Sequence, residues 1–109
     1  MSVVFHVNET EKWSMALGNV HNLLKVSSKE VGQIEIVANG EAVTGYLKAN
    51  LGIKFHELTE QGVQLSACQN ALKAQDIKNE ELPTFITIVP AGVLRLIECQ
   101  NNGYAYIKP

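Results

Sequence analysis

Five short apolar runs, each parted from the next by a stretch with helical spacing, constrain this chain more than any other feature. The runs are Val3–Val7, Gln33–Ala38, Val63–Cys68, Thr84–Val89 and Tyr104–Ile107. Runs rich in β-branched residues belong to strands buried on both faces, and strands that alternate with helices pair in parallel. The predicted fold is a three-layer α/β/α arrangement, with helices on both faces of a mostly parallel five-stranded sheet. The order of the strands is not readable from this pattern. A length of 109 residues allows one hydrophobic core, and no repeat, low-complexity tract or linker divides it, so residues 1–109 read as a single domain.

The helical stretches carry their own signals. Asn8 with Glu11 three residues on has the form of a capping box, and Trp13, Leu17, Val20, Leu23 and Leu24 follow as one apolar stripe. Ala42, Val43, Tyr46 and Leu47 share a face after Gly40, and Phe55 and Leu58 mark a second short helix, with Asn50-Leu51-Gly52 as the expected break. A helix is expected to begin near Cys68 and fade around Asp76. Pro90 suits the first turn of the last helix, where no amide hydrogen is needed, and Val93, Leu96 and Ile97 are expected on its inner face before Asn102-Gly103 stops it.

Composition narrows the functional classes. Hydrophobic residues make up 46% and charged residues 18%, a balance that supports a core without metal or disulfides. The formal charge of -2 offers no excess to drive binding to nucleic acid or to an anionic membrane. The N-terminal residues lack a basic n-region and turn polar at Asn8, and no apolar run reaches membrane-spanning length. Two cysteines without a secretory signal read as free thiols in a reducing, cytoplasmic compartment.

In an open α/β sheet, ligands gather beyond the carboxyl ends of the strands, here marked by Asn8, Asn39-Gly40, Cys68 and Pro90-Ala91-Gly92. Cys68 ends the third strand where a helix begins, which makes it the candidate reactive group. Several chemistries fail on spacing. The first strand leads into Asn8-Glu9-Thr10-Glu11 with no glycine fingerprint for a dinucleotide, and no P-loop is present. The sixth position after Cys68 is Ala74, where a cysteine phosphatase needs arginine, and position 71 is Ala71, where a dithiol motif needs cysteine. His6, His21 and His56 show no metal-ligand spacing, so no metal site and no cofactor are expected. A helix terminus favours a nearby anion by about 0.3 to 1 kcal/mol, so a strongly nucleophilic thiolate needs a further donor or cation. Cysteine is also among the most buried residue types, and a core role for Cys68 and Cys99 stands beside the reactive one.

The segment Ala67-Cys68-Gln69-Asn70-Ala71-Leu72-Lys73, the strand-turn Val37-Ala38-Asn39-Gly40, and Val89-Pro90-Ala91-Gly92-Val93 with Gly103-Tyr104 resemble the DsrE/DsrF-like proteins. These are small α/β proteins of the YchN-like type, associated with intracellular sulfur transfer, and the resemblance runs over nearly the whole chain. In the sulfur-relay members, a cysteine after the third strand carries a persulfide and passes it to a partner protein, and Cys68 occupies the matching position. The resemblance implies a homo-oligomer, trimer or hexamer, and a sulfur donor or acceptor protein as partner. The expected function is thus a sulfurtransferase-like persulfide carrier, with Asn39, Gly40, Asn70, Pro90, Ala91 and Gly92 lining the rim around Cys68. The alternative is a non-enzymatic oligomeric module that binds a small ligand or a protein through the same fold.

Overall fold

The structure is a computed structural model that describes residues 1–26 and 30–109. Five strands, β1 (Val3–Val7), β2 (Ile34–Ala38), β3 (Gln64–Cys68), β4 (Ile86–Val89) and β5 (Ala105–Ile107), form one sheet in the order β4-β3-β2-β1-β5. Every pairing is parallel. The α-helices among the described residues are α1 (Trp13–Val26), α2 (Ala49–Glu60), α3 (Gln69–Ala74) and α4 (Gly92–Asn101).

The strand order explains how the helices divide between the faces. From β1 to β4 the chain steps steadily toward one edge, so right-handed crossovers place α1, α2 and α3 on the same side. The return from β4 across the sheet to β5 reverses direction and puts α4 alone on the other side. Packing follows this division. Phe5, Ile36, Leu65 and Ala67 point into a large core shared with Trp13, Val20, Phe55 and Leu72 from α1, α2 and α3. Val4 and Val37 point the other way and pack with Leu96 and Cys99 of α4.

The large core is anchored by an aromatic trio. Trp13, Tyr46 and Phe55 lie with ring centroids 5.0 to 5.1 Å apart, a spacing that favours edge-to-face contact. The Trp13 indole N–H donates to the Ala42 carbonyl at 2.8 Å, and the Tyr46 hydroxyl donates to the Ser66 carbonyl at 2.9 Å. Gly45 makes this possible, because any side chain there would collide with the Trp13 ring.

Some local expectations are corrected. Asn8 caps no helix: a 3₁₀ turn at Thr10–Lys12 precedes α1, and Glu9 holds its N-cap position without a side-chain bond. The stretch after Gly40 is a 3₁₀ helix, Gly40–Leu47, and the break falls at Lys48, so Asn50-Leu51-Gly52 lies in the first turns of α2. Pro90 stands before α4, whose N-cap is Ala91. Val93 and Ile97 face outward, 61% and 50% exposed, while Gly92, Leu96 and Cys99 face the sheet.

Candidate functional site

A sheet whose connections leave on opposite sides opens a crevice where the two directions part. Here β3 feeds α3 on one face and its neighbour β4 feeds α4 on the other, so the topological switch point lies at the ends of β3 and β4. Cys68 is the last residue of β3, paired with Val89 at the end of β4. It is also the N-cap of α3, and its Sγ accepts a hydrogen bond from the Ala71 amide at 3.4 Å. The thiol is held and nearly covered, with 7% of the residue accessible. The six-residue α3 thus meets the sulfur through one N–H of its first turn.

The rim predicted from sequence assembles in part. The absence of a side chain at Gly92 allows a close approach, since a methyl placed there would lie 3.1 Å from Asn39 Cβ and 3.3 Å from Cys68 Cβ. Asn39, Cys68 and Gly92, from three separate segments, therefore share one spot. Gly40 serves by backbone shape: its φ of +55° is left-handed, and a side chain would press to 3.2 Å from the Asn8 carbonyl. Asn70 is exposed on α3. Pro90 and Ala91 line a shallow recess of about 340 Å³ with Gln64, Thr87, Leu94 and Arg95. A roomier groove of about 630 Å³ runs between α1 and α2, and its walls include none of Asn39, Cys68 or Gly92.

Two polar arrangements on the α4 face lie outside the sequence reading. His6 of β1 stands between the Asn39 carboxamide, 2.9 Å from Nε2, and the Tyr106 hydroxyl, 2.6 Å from Nδ1. Deeper in the sheet, Glu35 is 2% exposed and accepts from Arg95 Nε at 2.9 Å, from Arg95 Nη2 at 2.6 Å and from the Ser66 hydroxyl at 2.9 Å. These bonds hold the Arg95 guanidinium above its ordinary range. The Cys99 thiol reaches the same carboxylate at 3.8 Å, and burial followed by the Glu35 charge raises it above the ordinary thiol range. Cys99 is thus kept protonated as a core thiol. The available signals were a glutamate inside an apolar strand and a histidine at the same level as the rim.

Among the described residues, no group of three His, Cys, Asp or Glu side chains could hold a metal ion. His21 and His56 are exposed, and His56 pairs with Glu60 on its own helix at 3.4 Å. No described helix is long and apolar enough to cross a membrane.

Fold and site together define an all-parallel α/β protein with a single held cysteine at its topological switch point. The sequence profile of the DsrE/DsrF-like family matches residues 1–109, and the chain belongs to that family. Solved structures agree. A protein of unknown function from Methanobacterium thermoautotrophicum, MTH1491, superposes with a TM-score of 0.90 at 32% identity, covering 99% of this chain and 98% of that one. The ychN protein of E. coli superposes with a TM-score of 0.84 at 17% identity, covering 100% and 99%. A conserved protein of unknown function from Bacteroides thetaiotaomicron, BT1422, gives 0.78 at 15% identity, covering 99% and 94%. The two more distant likenesses speak for the fold alone. No match is found among curated proteins.

Proposed function

We propose that this chain is a sulfurtransferase-like persulfide carrier in which Cys68 accepts sulfane sulfur and hands it on. The observation that carries the reading is the place of Cys68, held by the Ala71 amide at the topological switch point of a DsrE/DsrF-like fold. Loading begins with the Cys68 thiolate attacking the outer sulfur of a donor persulfide. A new S–S bond forms at Cys68, the donor's S–S bond breaks, and the donor leaves as a thiolate that takes up the proton Cys68 gave away. Delivery repeats the exchange: an acceptor thiolate takes the outer sulfur and Cys68 departs as thiolate. No net oxidation occurs at either step, so no redox cofactor is required.

Because Gly92 carries no side chain, Cys68 and Asn39 are spared a contact that a methyl there would make at 3.1 to 3.3 Å. Asn39, Gly40, Asn70, Pro90, Ala91 and Gly92 form the rim that a donor or acceptor protein would meet. Partners of this kind, and a reducing cytoplasmic setting, belong to the proposal. So does a homo-oligomer: Val93, Leu94 and Ile97 project from α4 as an exposed apolar row, which a second copy of the chain would cover. The near-complete burial of Cys68 favours one rival, a binding module whose cysteine is only core.

Intact mass spectrometry after incubation with a persulfide donor separates the two. The carrier gains one sulfur atom, and Cys68→Ser gains none. Absence of the adduct, or its survival in Cys68→Ser, refutes the reading.

A further inference from the structure

The Asn39 carboxamide is engaged in a way that its position in the chain does not require. Asn39 is the N-cap of the 3₁₀ helix Gly40–Leu47, where an asparagine oxygen ordinarily accepts an N–H from the first turn. No such bond forms. Its Oδ1 is turned instead toward His6 Nε2, and His6 Nδ1 is turned toward the Tyr106 hydroxyl. These residues come from β5, from β1 and from the end of β2, which are neighbours in the sheet, and β3 with Cys68 is next in line.

Hydrogen-bond polarity gives this chain a direction. The Tyr106 hydroxyl donating to Nδ1 leaves the ring proton on Nε2, which donates to Asn39 Oδ1. The opposite tautomer would set the Nε2 lone pair against Oδ1. With its oxygen committed to His6, the carboxamide keeps both N–H donors for another acceptor. A methyl at Gly92 would touch the Cβ atoms of both Asn39 and Cys68, so the two side chains start from neighbouring points, and an anionic sulfur at Cys68 is an acceptor within the carboxamide's reach.

We propose that Tyr106 and His6 are positioning residues that hold the Asn39 carboxamide as a hydrogen-bond donor to anionic sulfur at Cys68. The inference rests on the carrier reading, since both the persulfide and the thiolate it regenerates bear their charge on sulfur. A donor aimed at the anion favours it over the protonated form, the further help that a helix end alone does not supply.

The Cβ chemical shift of Cys68, followed against pH in isotope-labelled protein, reads the ionisation of the sulfur whether or not a reagent can reach it. Replacing the donor in Asn39→Asp is expected to move the titration to higher pH and lower the thiolate fraction at neutral pH by about tenfold or more. Tyr106→Phe and His6→Phe, which keep an aromatic ring at each position but break the chain, are expected to lower it by about threefold to tenfold. Tyr106 is 41% exposed, so Tyr106→Phe tests the chain without disturbing the core. Titrations that superimpose on that of the unmodified protein overturn the proposal, and so does a shift confined to Asn39→Asp. Sulfur loading is scored separately. Shifted titrations without an adduct on Cys68 sink the carrier reading and keep the positioning chain, whereas a normal adduct with unshifted titrations does the reverse.

Discussion

At Gly92 the missing side chain shapes the site directly. Gly92→Ala would push a methyl to within 3.1 Å of Asn39 Cβ and 3.3 Å of Cys68 Cβ, an overpacking expected to cost about 1 to 3 kcal/mol. Sulfur loading should slow as well, because the methyl crowds the Cys68 side chain. Gly18 provides the contrast. It lies inside α1, and a methyl added there would meet nothing within 4 Å, so Gly18→Ala should stabilise by about 0.5 to 1 kcal/mol. Denaturant unfolding of both variants checks the opposite signs. Of these residues, Cys68, Asn39 and Gly92 were legible in the sequence because each marks the end of a strand or the start of a helix. His6 and Tyr106 were not. Their contact joins positions 100 residues apart, and it exists only because β5 pairs with β1, a choice that local pattern does not encode.

The last helix shows how one buried charge sets the rotation of an element. Read by hydrophobicity, Val93, Leu96 and Ile97 belong inside, yet Val93 and Ile97 face out. The reason lies in β2, where Glu35 occupies an inward position and needs a partner. The helix is turned so that Arg95 supplies two hydrogen bonds and Cys99 packs beside them. An apolar strand with one acidic residue gives no hint of which helix will answer it. The pair also makes an asymmetric prediction about stability. Arg95→Met leaves the Glu35 carboxylate buried without its cation and should cost about 3 to 5 kcal/mol. Glu35→Gln leaves a guanidinium whose side chain is 25% exposed and can turn to water, so it should cost less. Equal losses in chemical denaturation would contradict this account of α4.

On the scale of the whole molecule, five strand signals separated by helical ones were enough to place the chain in the parallel α/β class. They could not reveal that α4 alone covers one face, because that follows from strand order. With a single helix there, the apolar row Val93, Leu94 and Ile97 is left outside. If a second copy covers it, the double variant Val93→Glu with Ile97→Glu should sediment as a smaller species than the unmodified chain, and unchanged sedimentation would exclude this face from the assembly.

Alkaline pH tests the interior. The Cys99 thiol and the Tyr46 hydroxyl are both raised by burial first and by the Glu35 charge second. Unfolded chains release these protons at lower pH than the folded protein, so the native state binds more protons and stability falls as pH climbs past the ordinary thiol value near 9.0. Thermal unfolding across that range should show the decline, and Cys99→Ala should make it shallower.

On the proposed mechanism, sulfur arrives at Cys68 and leaves again. Protein loaded from a persulfide donor, freed of that donor and then mixed with an acceptor thiol can be weighed intact before and after mixing. The expected result is one added sulfur atom that maps to Cys68 and disappears as the acceptor gains it. A loaded form that keeps its sulfur in the presence of acceptor, or a folded protein that never takes it up, would contradict the account.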